Sequence, residues 1–76
     1  MIIFSYHALI KLQQREIPKN LVFETLESPD CDLEGIAGRK IAYKKFQRLY
    51  LKVVYREEGD NLVVITQHWT QNIKYQ

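Results

Sequence analysis

The stretch Gly35-Ile-Ala-Gly-Arg-Lys-Ile-Ala-Tyr-Lys-Lys-Phe-Gln-Arg-Leu-Tyr-Leu-Lys-Val-Val-Tyr-Arg56 contains no Asp or Glu. Its bases, Arg39, Lys40, Lys44, Lys45, Arg48, Lys52 and Arg56, are interleaved with Tyr43, Phe46, Tyr50 and Tyr55. From Leu49 onward the residues alternate. Leu49, Leu51, Val53 and Tyr55 share one parity, and Arg48, Tyr50, Lys52, Val54 and Arg56 the other. Successive side chains of a strand point to opposite faces. One face of this strand is therefore apolar and belongs to a core. The other is basic and aromatic. It faces either water, as one side of an antiparallel sheet commonly does, or something anionic.

Working back toward the N-terminus, Cys31 to Ala37 is acidic, then small, and reads as a loop entering the sheet. Gly35 and Gly38 suit a tight turn or bulge there. Before it, Leu21, Val22, Thr25 and Leu26 recur at helical spacing, which predicts a helix from about Pro18 to Glu27. Ile17 and Val22 occupy the two positions of a hydrophobic staple. Ser28-Pro29-Asp30 ends the helix, because proline lacks the donor of the next turn. A first helix is predicted from Tyr6 to Gln14, with Ser5 as its N-cap. Its apolar arc holds Tyr6, Leu9 and Ile10, flanked by Ala8 and Leu12. Its polar stripe holds His7, Lys11, Gln14 and Arg15. Ile2 to Phe4 suits a short first strand.

Toward the C-terminus, Arg39–Phe46 and Leu49–Arg56 read as strands joined tightly at Gln47-Arg48. Glu57 to Asn61 reads as a hairpin loop and Leu62–Trp69 as a third strand. The tail from Thr70 to Gln76 carries no assignment. The expected fold is α+β, a single domain over residues 1–76. Two N-terminal helices pack on the Leu49, Leu51, Val53 face of a small antiparallel β-meander. In the third strand, Val63, Ile65 and Trp69 are the more apolar set and are expected in the core. Thr66 and His68 then emerge beside Tyr50 and Lys52, and a slip of one residue exchanges the two sets. Lys44-Lys45 reads as a charge pair protecting an edge strand.

The net charge of +2 is unevenly spread. Residues 1–34 hold three bases and six acids, whereas residues 35–76 hold eight bases and three acids. An anionic partner is thus expected on the second half and a basic one on the first. Cys31 is the only cysteine, so no intramolecular disulfide forms and a reducing compartment is favoured. The N-terminus lacks the pattern of a signal peptide. The longest apolar run, Leu62 to Ile65, is far too short to cross a bilayer. A cytoplasmic protein with no membrane partner is the expectation. There is no zinc-type ligand spacing, phosphate loop or nucleotide fingerprint, so neither a metal nor a cofactor is expected.

His7-Ala8, Lys11, Arg15 and Ile17, followed by Val22, Leu26 and Pro29, resemble the helical signature of a small uncharacterised bacterial and archaeal domain family. Gly38-Arg39 with Tyr43, then Leu51-Lys52-Val53-Val54-Tyr55 and Val63-Val64-Ile65-Thr66, resemble its strands. The resemblance covers about residues 5–69. It departs at Lys11, where the family usually has Arg, at Glu16, where it usually has Gly, and at His68, where Tyr is frequent. That family is similar in architecture to RelE/ParE-type toxins, many of which are metal-independent endoribonucleases held in check by an antitoxin.

Metal-free RNA cleavage needs a base for the ribose 2′-hydroxyl, cationic groups for the phosphoryl oxygens and a proton for the leaving oxygen. Histidine suits the proton transfers, and Arg and Lys the phosphate. The candidate catalytic residues are His7, Arg15 and His68. Arg39 and Lys52 are candidates for binding substrate phosphate, and Tyr43 and Tyr50 for stacking on bases. Each also has a plainer reading. His7 could decorate its helix and Arg15 pair with Glu16 or Glu24. Arg39 could pair with Asp32 or Glu34, and Tyr43 and Tyr55 could be core residues with wet hydroxyls. The expected function is a toxin-like endoribonuclease acting on RNA, covered by an acidic antitoxin. The alternatives are a non-catalytic nucleic-acid-binding or protein-interaction module, and a homodimer formed through a strand edge instead of a monomer.

Overall fold

In a computed structural model, which describes residues 1–74, Ser5 separates the first strand from the first helix. Strand β1 is Ile2–Phe4 and helix α1 is Tyr6–Gln14. The Ser5 Oγ accepts the Ala8 N–H at 3.1 Å, satisfying one of the donors that a helix start leaves unpaired. Ala8 and Leu12, one turn apart, are the buried residues of α1, while Tyr6 and Leu9 are exposed. The buried arc is thus rotated from the expected one, because small Ala8 lets α1 approach the sheet closely.

The end of α1 is a Schellman motif. The Ile17 N–H donates to the Leu12 carbonyl at 2.9 Å and the Glu16 N–H to the Gln13 carbonyl at 3.3 Å. Glu16 takes the left-handed conformation this requires, with φ of 52°. The motif's hydrophobic pair, Leu12 and Ile17, is buried. Helix α2 (Lys19–Glu27) starts at Pro18. Ile17 and Val22 lie in one core cluster, as the staple predicts. Thr25 is buried with its hydroxyl donated to the Leu21 carbonyl at 2.7 Å.

The rest of the chain is β2 (Cys31–Glu34), β3 (Lys40–Phe46), β4 (Leu49–Glu58) and β5 (Asn61–Thr70). The sheet has five strands in the order β1-β5-β4-β3-β2. Only β1 and β5 run parallel, so the expected antiparallel meander, β3 to β5, is part of a larger mixed sheet. The α+β class and the helix-covered face hold, since Leu51 and Val53 share a core with Ala8, Leu12, Ile17, Val22 and Val64. Three expectations are corrected. Cys31 to Glu34 is a strand, not a loop. Its acids, unfavourable in strands by propensity, find partners: Asp32 accepts the Tyr55 hydroxyl and Glu34 pairs with Lys40. Lys44-Lys45 therefore sits on an inner strand, and Lys44 reaches Asp30 and the Ser28 carbonyl.

The third correction concerns β5. Val54 pairs with Thr66, but Tyr55 pairs with Val64, so Ile65 is an extra residue in a bulge. Val63 is buried as expected, but Val64, not Val63 or Ile65, joins the helix-side core cluster, and Trp69 packs against it. Thr66 and His68 still alternate onto the opposite face, as expected.

Candidate functional site

The sheet registers align the open face into rows. Cys31, Tyr43, Lys52 and His68 are successive Cα partners across β2, β3, β4 and β5. On one side lies the row Lys45–Tyr50–Thr70, and on the other Leu33–Ile41–Val54–Thr66. Directly paired side chains lie about 5 Å apart at Cβ, so Lys52 touches the space above both Tyr43 and His68. Phe46, Ala42, Leu51 and Val53 point the other way, because the strand period is two.

Arg15 enters from the α1 C-terminus. Because β1 pairs only with Leu62 to Val64, the outer edge of β5 beyond them has no neighbouring strand. Ser5 Oγ donates to the Ile65 carbonyl at 3.2 Å on that edge. Arg15 Nη1 donates to the Gln67 carbonyl at 2.8 Å and reaches Thr66 Oγ1 at 3.4 Å. Arg15 forms no ion pair with Glu16 or Glu24 among the described residues. Its charge is left free beside His68. Beneath it, Gln67 is fully buried and donates from Nε2 to the Ala8 carbonyl at 2.8 Å. Gln67 thereby locks α1 to the strand that carries His68.

The tail after β5 contributes the third cation. The Lys74 N–H donates to the Tyr43 hydroxyl at 3.4 Å, which brings Lys74 over the open face. Tyr43 is 1% exposed, edge-on to Tyr50 with ring centroids 6.4 Å apart. Its ring is covered and offers no free face. Tyr50 is half-buried, with the Lys45 ammonium over its ring at 5.7 Å.

His68 is held below its ordinary pKa, first by burial and then by Lys52, Arg15 and Lys74. All four causes disfavour the imidazolium, so His68 is a neutral imidazole near pH 7. The carboxylates that form ion pairs do so with other cations: Asp30 with Lys44, Glu57 with Lys40, and Glu58 with Arg56. The imidazole thus stands near three cations, Lys52, Arg15 and Lys74, for which no carboxylate partner appears among the described residues. Among the described residues, no three His, Cys, Asp or Glu side chains converge as a metal site requires.

Of the sequence-derived candidates, the structure gathers Arg15, His68, Lys52, Tyr43 and Tyr50. It leaves two apart. His7 lies exposed in the first turn of α1, eight residues and about 12 Å of helix from Arg15. It makes no hydrogen bond to the cluster among the described residues. Arg39 closes the β2–β3 turn, its carbonyl accepting the Gly35 N–H at 2.8 Å. It lies on the rim of a separate shallow cavity with Ile36, Ile41 and Val54, four residues and about 13 Å along β3 from Tyr43. Lys74 escaped the sequence reading because nothing in its polar tail signals a return over the sheet. Thr66 was marked by its parity with His68. Comparisons of the chain with protein-family models, curated proteins and solved structures find no match.

Proposed function

We propose that the protein is a small toxin-like endoribonuclease that cleaves RNA without a metal ion, with His68 as the proton acceptor. The observation that carries this reading is a neutral imidazole set among Lys52, Arg15 and Lys74, none of which has a carboxylate partner among the described residues. Two helices on one face of a sheet, with the other face basic, are compatible with the architecture of RelE/ParE-type toxins. Fold alone does not give the activity.

In this reading His68 takes the proton of a ribose 2′-hydroxyl, whose oxygen then attacks the adjacent phosphorus. The bond to the 5′ oxygen breaks, leaving a 2′,3′-cyclic phosphate. The departing oxygen receives a proton from the Lys52 ammonium, and the protonated His68 restores it. Arg15 and Lys74 neutralise charge on the non-bridging oxygens, a contribution that is commonly the largest in such sites. His7 lies outside this sequence of steps. An acidic antitoxin segment would cover the same cations.

One observation favours a second reading, a non-catalytic RNA-binding module: only one imidazole stands in the row. RNA cleavage in EDTA separates the two. A folded His68→Ala variant should lose about 10²- to 10⁴-fold of the cleavage rate and keep salt-sensitive binding, while His7→Ala should cleave as the parent does. Equal cleavage by parent and His68→Ala would remove the mechanism. Binding without any cleavage by the parent would establish the module.

A further inference from the structure

Tyr43 is buried on a face that carries no helix. The helices pack on the Leu51 and Val53 side of the sheet, whereas Tyr43 stands beside Lys52 on the other, yet it is 1% exposed. Tyr50 packs against its ring, and the chain that leaves β5 caps its hydroxyl. The Thr70 hydroxyl donates to the Asn72 carbonyl at 3.2 Å, where the chain bends back over the sheet. The Lys74 N–H then reaches the Tyr43 hydroxyl at 3.4 Å. Thr70 lies on β5 and Tyr43 on β3, so Gln71 to Lys74 cross β4, a span of about 10 Å. The crossing starts beside Tyr50, the partner of Thr70, and ends above Tyr43, the partner of Lys52. It thus occupies space over the row that a bound strand would take. The fastening is slight. Gln71, Asn72 and Lys74 are exposed, Ile73 is half-buried, and no strand pairing holds the segment among the described residues. A segment with so few buried contacts opens readily.

We propose that Gln71 to Lys74 form a strap latched to Tyr43, which must swing off that hydroxyl before an anionic strand can lie along the Tyr43–Lys52–His68 row. The inference rests on the RNA reading for its ligand alone; the strap is a property of the free protein. Latch and charge sit on different atoms of one residue. The backbone N–H of Lys74 holds the strap to Tyr43, and its ammonium is one of the three cations near His68. Binding exchanges the bond to Tyr43 for an ion pair between that ammonium and a phosphate, and the strap closes again over the strand. Only the unlatched form accepts a strand, so the latched fraction lowers the apparent affinity of the row.

Two substitutions separate latch from charge. Tyr43→Phe keeps the ring and removes the latch. Lys74→Gln keeps the latch, which is backbone, and removes the charge. Ile73→Ser loosens the strap away from the core and serves where Tyr43→Phe does not fold. The first readout, the His68 titration followed by NMR, needs no nucleic acid. It should move upward in Tyr43→Phe and Ile73→Ser as Lys74 withdraws, and in Lys74→Gln as its charge is lost. The second is the anisotropy of a labelled single-stranded oligodeoxyadenylate at low salt, a strand that lacks the 2′-hydroxyl and cannot be cleaved by this chemistry. Tyr43→Phe and Ile73→Ser should bind it about two- to threefold more tightly, and Lys74→Gln about two- to fivefold more weakly. An unmoved His68 titration in both Tyr43→Phe and Ile73→Ser would overturn the strap and leave the RNA reading standing. Equal or weaker strand binding by those two variants would also overturn it, since the closed segment would then not stand in the strand's way. A shifted titration, with neither this strand nor RNA bound by any form, would support the strap and defeat the RNA reading.

Discussion

Glu16 is the residue whose replacement tests the local physics of the site most cleanly. It occupies the left-handed position of the Schellman motif at the end of α1, φ 52°. A side chain there costs roughly 1–2 kcal/mol, because Cβ crowds the following carbonyl. Its negative charge also meets the negative end of the helix, a further penalty of about 0.3–1 kcal/mol at low salt. Glycine removes both penalties but makes the unfolded chain freer, returning about 0.4–1 kcal/mol. The net expectation for Glu16→Gly is about 1 kcal/mol of added stability. In a domain of this size that raises Tm by roughly 4–8 °C. Glu16→Gln, which removes only the charge, should gain about 0.3–0.5 kcal/mol and lose that gain in high salt. Urea denaturation followed by circular dichroism, with unchanged m-value, measures both. The Arg15 side chain is held by the Gln67 carbonyl, so its placement should not change in Glu16→Gly. A glycine variant no more stable than the glutamine variant would refute the assignment of backbone strain to Glu16.

Two further predictions concern the row and its support. The His68 imidazole should titrate below 6.5 by NMR. Lys52→Met should move it upward, and no movement would mean that the ammonium points away. Because the folded pKa is lowered, the unfolded chain binds the proton first. The His68 contribution to stability is therefore complete above pH 6.5 and is lost as pH falls below 6.5 toward the folded value. His68→Gln should flatten the fall of Tm across that window. Gln67 has a buried Oε1 with no partner and an Nε2 bonded to Ala8. Gln67→Met should thus stay within about 1 kcal/mol of the parent, since it removes an unpaired acceptor along with one hydrogen bond. Gln67→Ala should cost about 2 kcal/mol or more through the cavity it opens. Equal losses in chemical denaturation would mean that the bond to Ala8 dominates.

What the sequence disclosed was what local chemistry alone decides. The staple of Ile17 and Val22, the Ser5 cap, the two-residue turn at Gln47-Arg48 and the apolar parity of Leu51 and Val53 each depend on residues within a turn or a strand. Strand β2 was hidden because its acids oppose strand propensity, and the partner of Asp32, Tyr55, is distant in sequence. The gathering of Arg15 and Lys74 around His68 was hidden for the same reason. Arg15 depends on a strand edge left bare by the shortness of β1, and Lys74 on a hydroxyl at Tyr43.

The bulge at Ile65 shows why the register of β5 could not be settled by counting apolar residues. Val64 and Trp69 both belong with the helix-side core, yet they differ in parity. An uninterrupted strand with Val64 inward would turn His68 under the helices and Gln67 outward. One with Trp69 inward would expose Val64. The extra residue lets the strand satisfy both ends, at the cost of a broken ladder between Val54 and Tyr55. The edge carbonyls of Ile65 and Gln67, left bare because β1 stops at Val64, are taken up by Ser5 and Arg15. The irregularity that defeats a period-two reading thus keeps His68 on the open face opposite Lys52 while Val64 stays in the core.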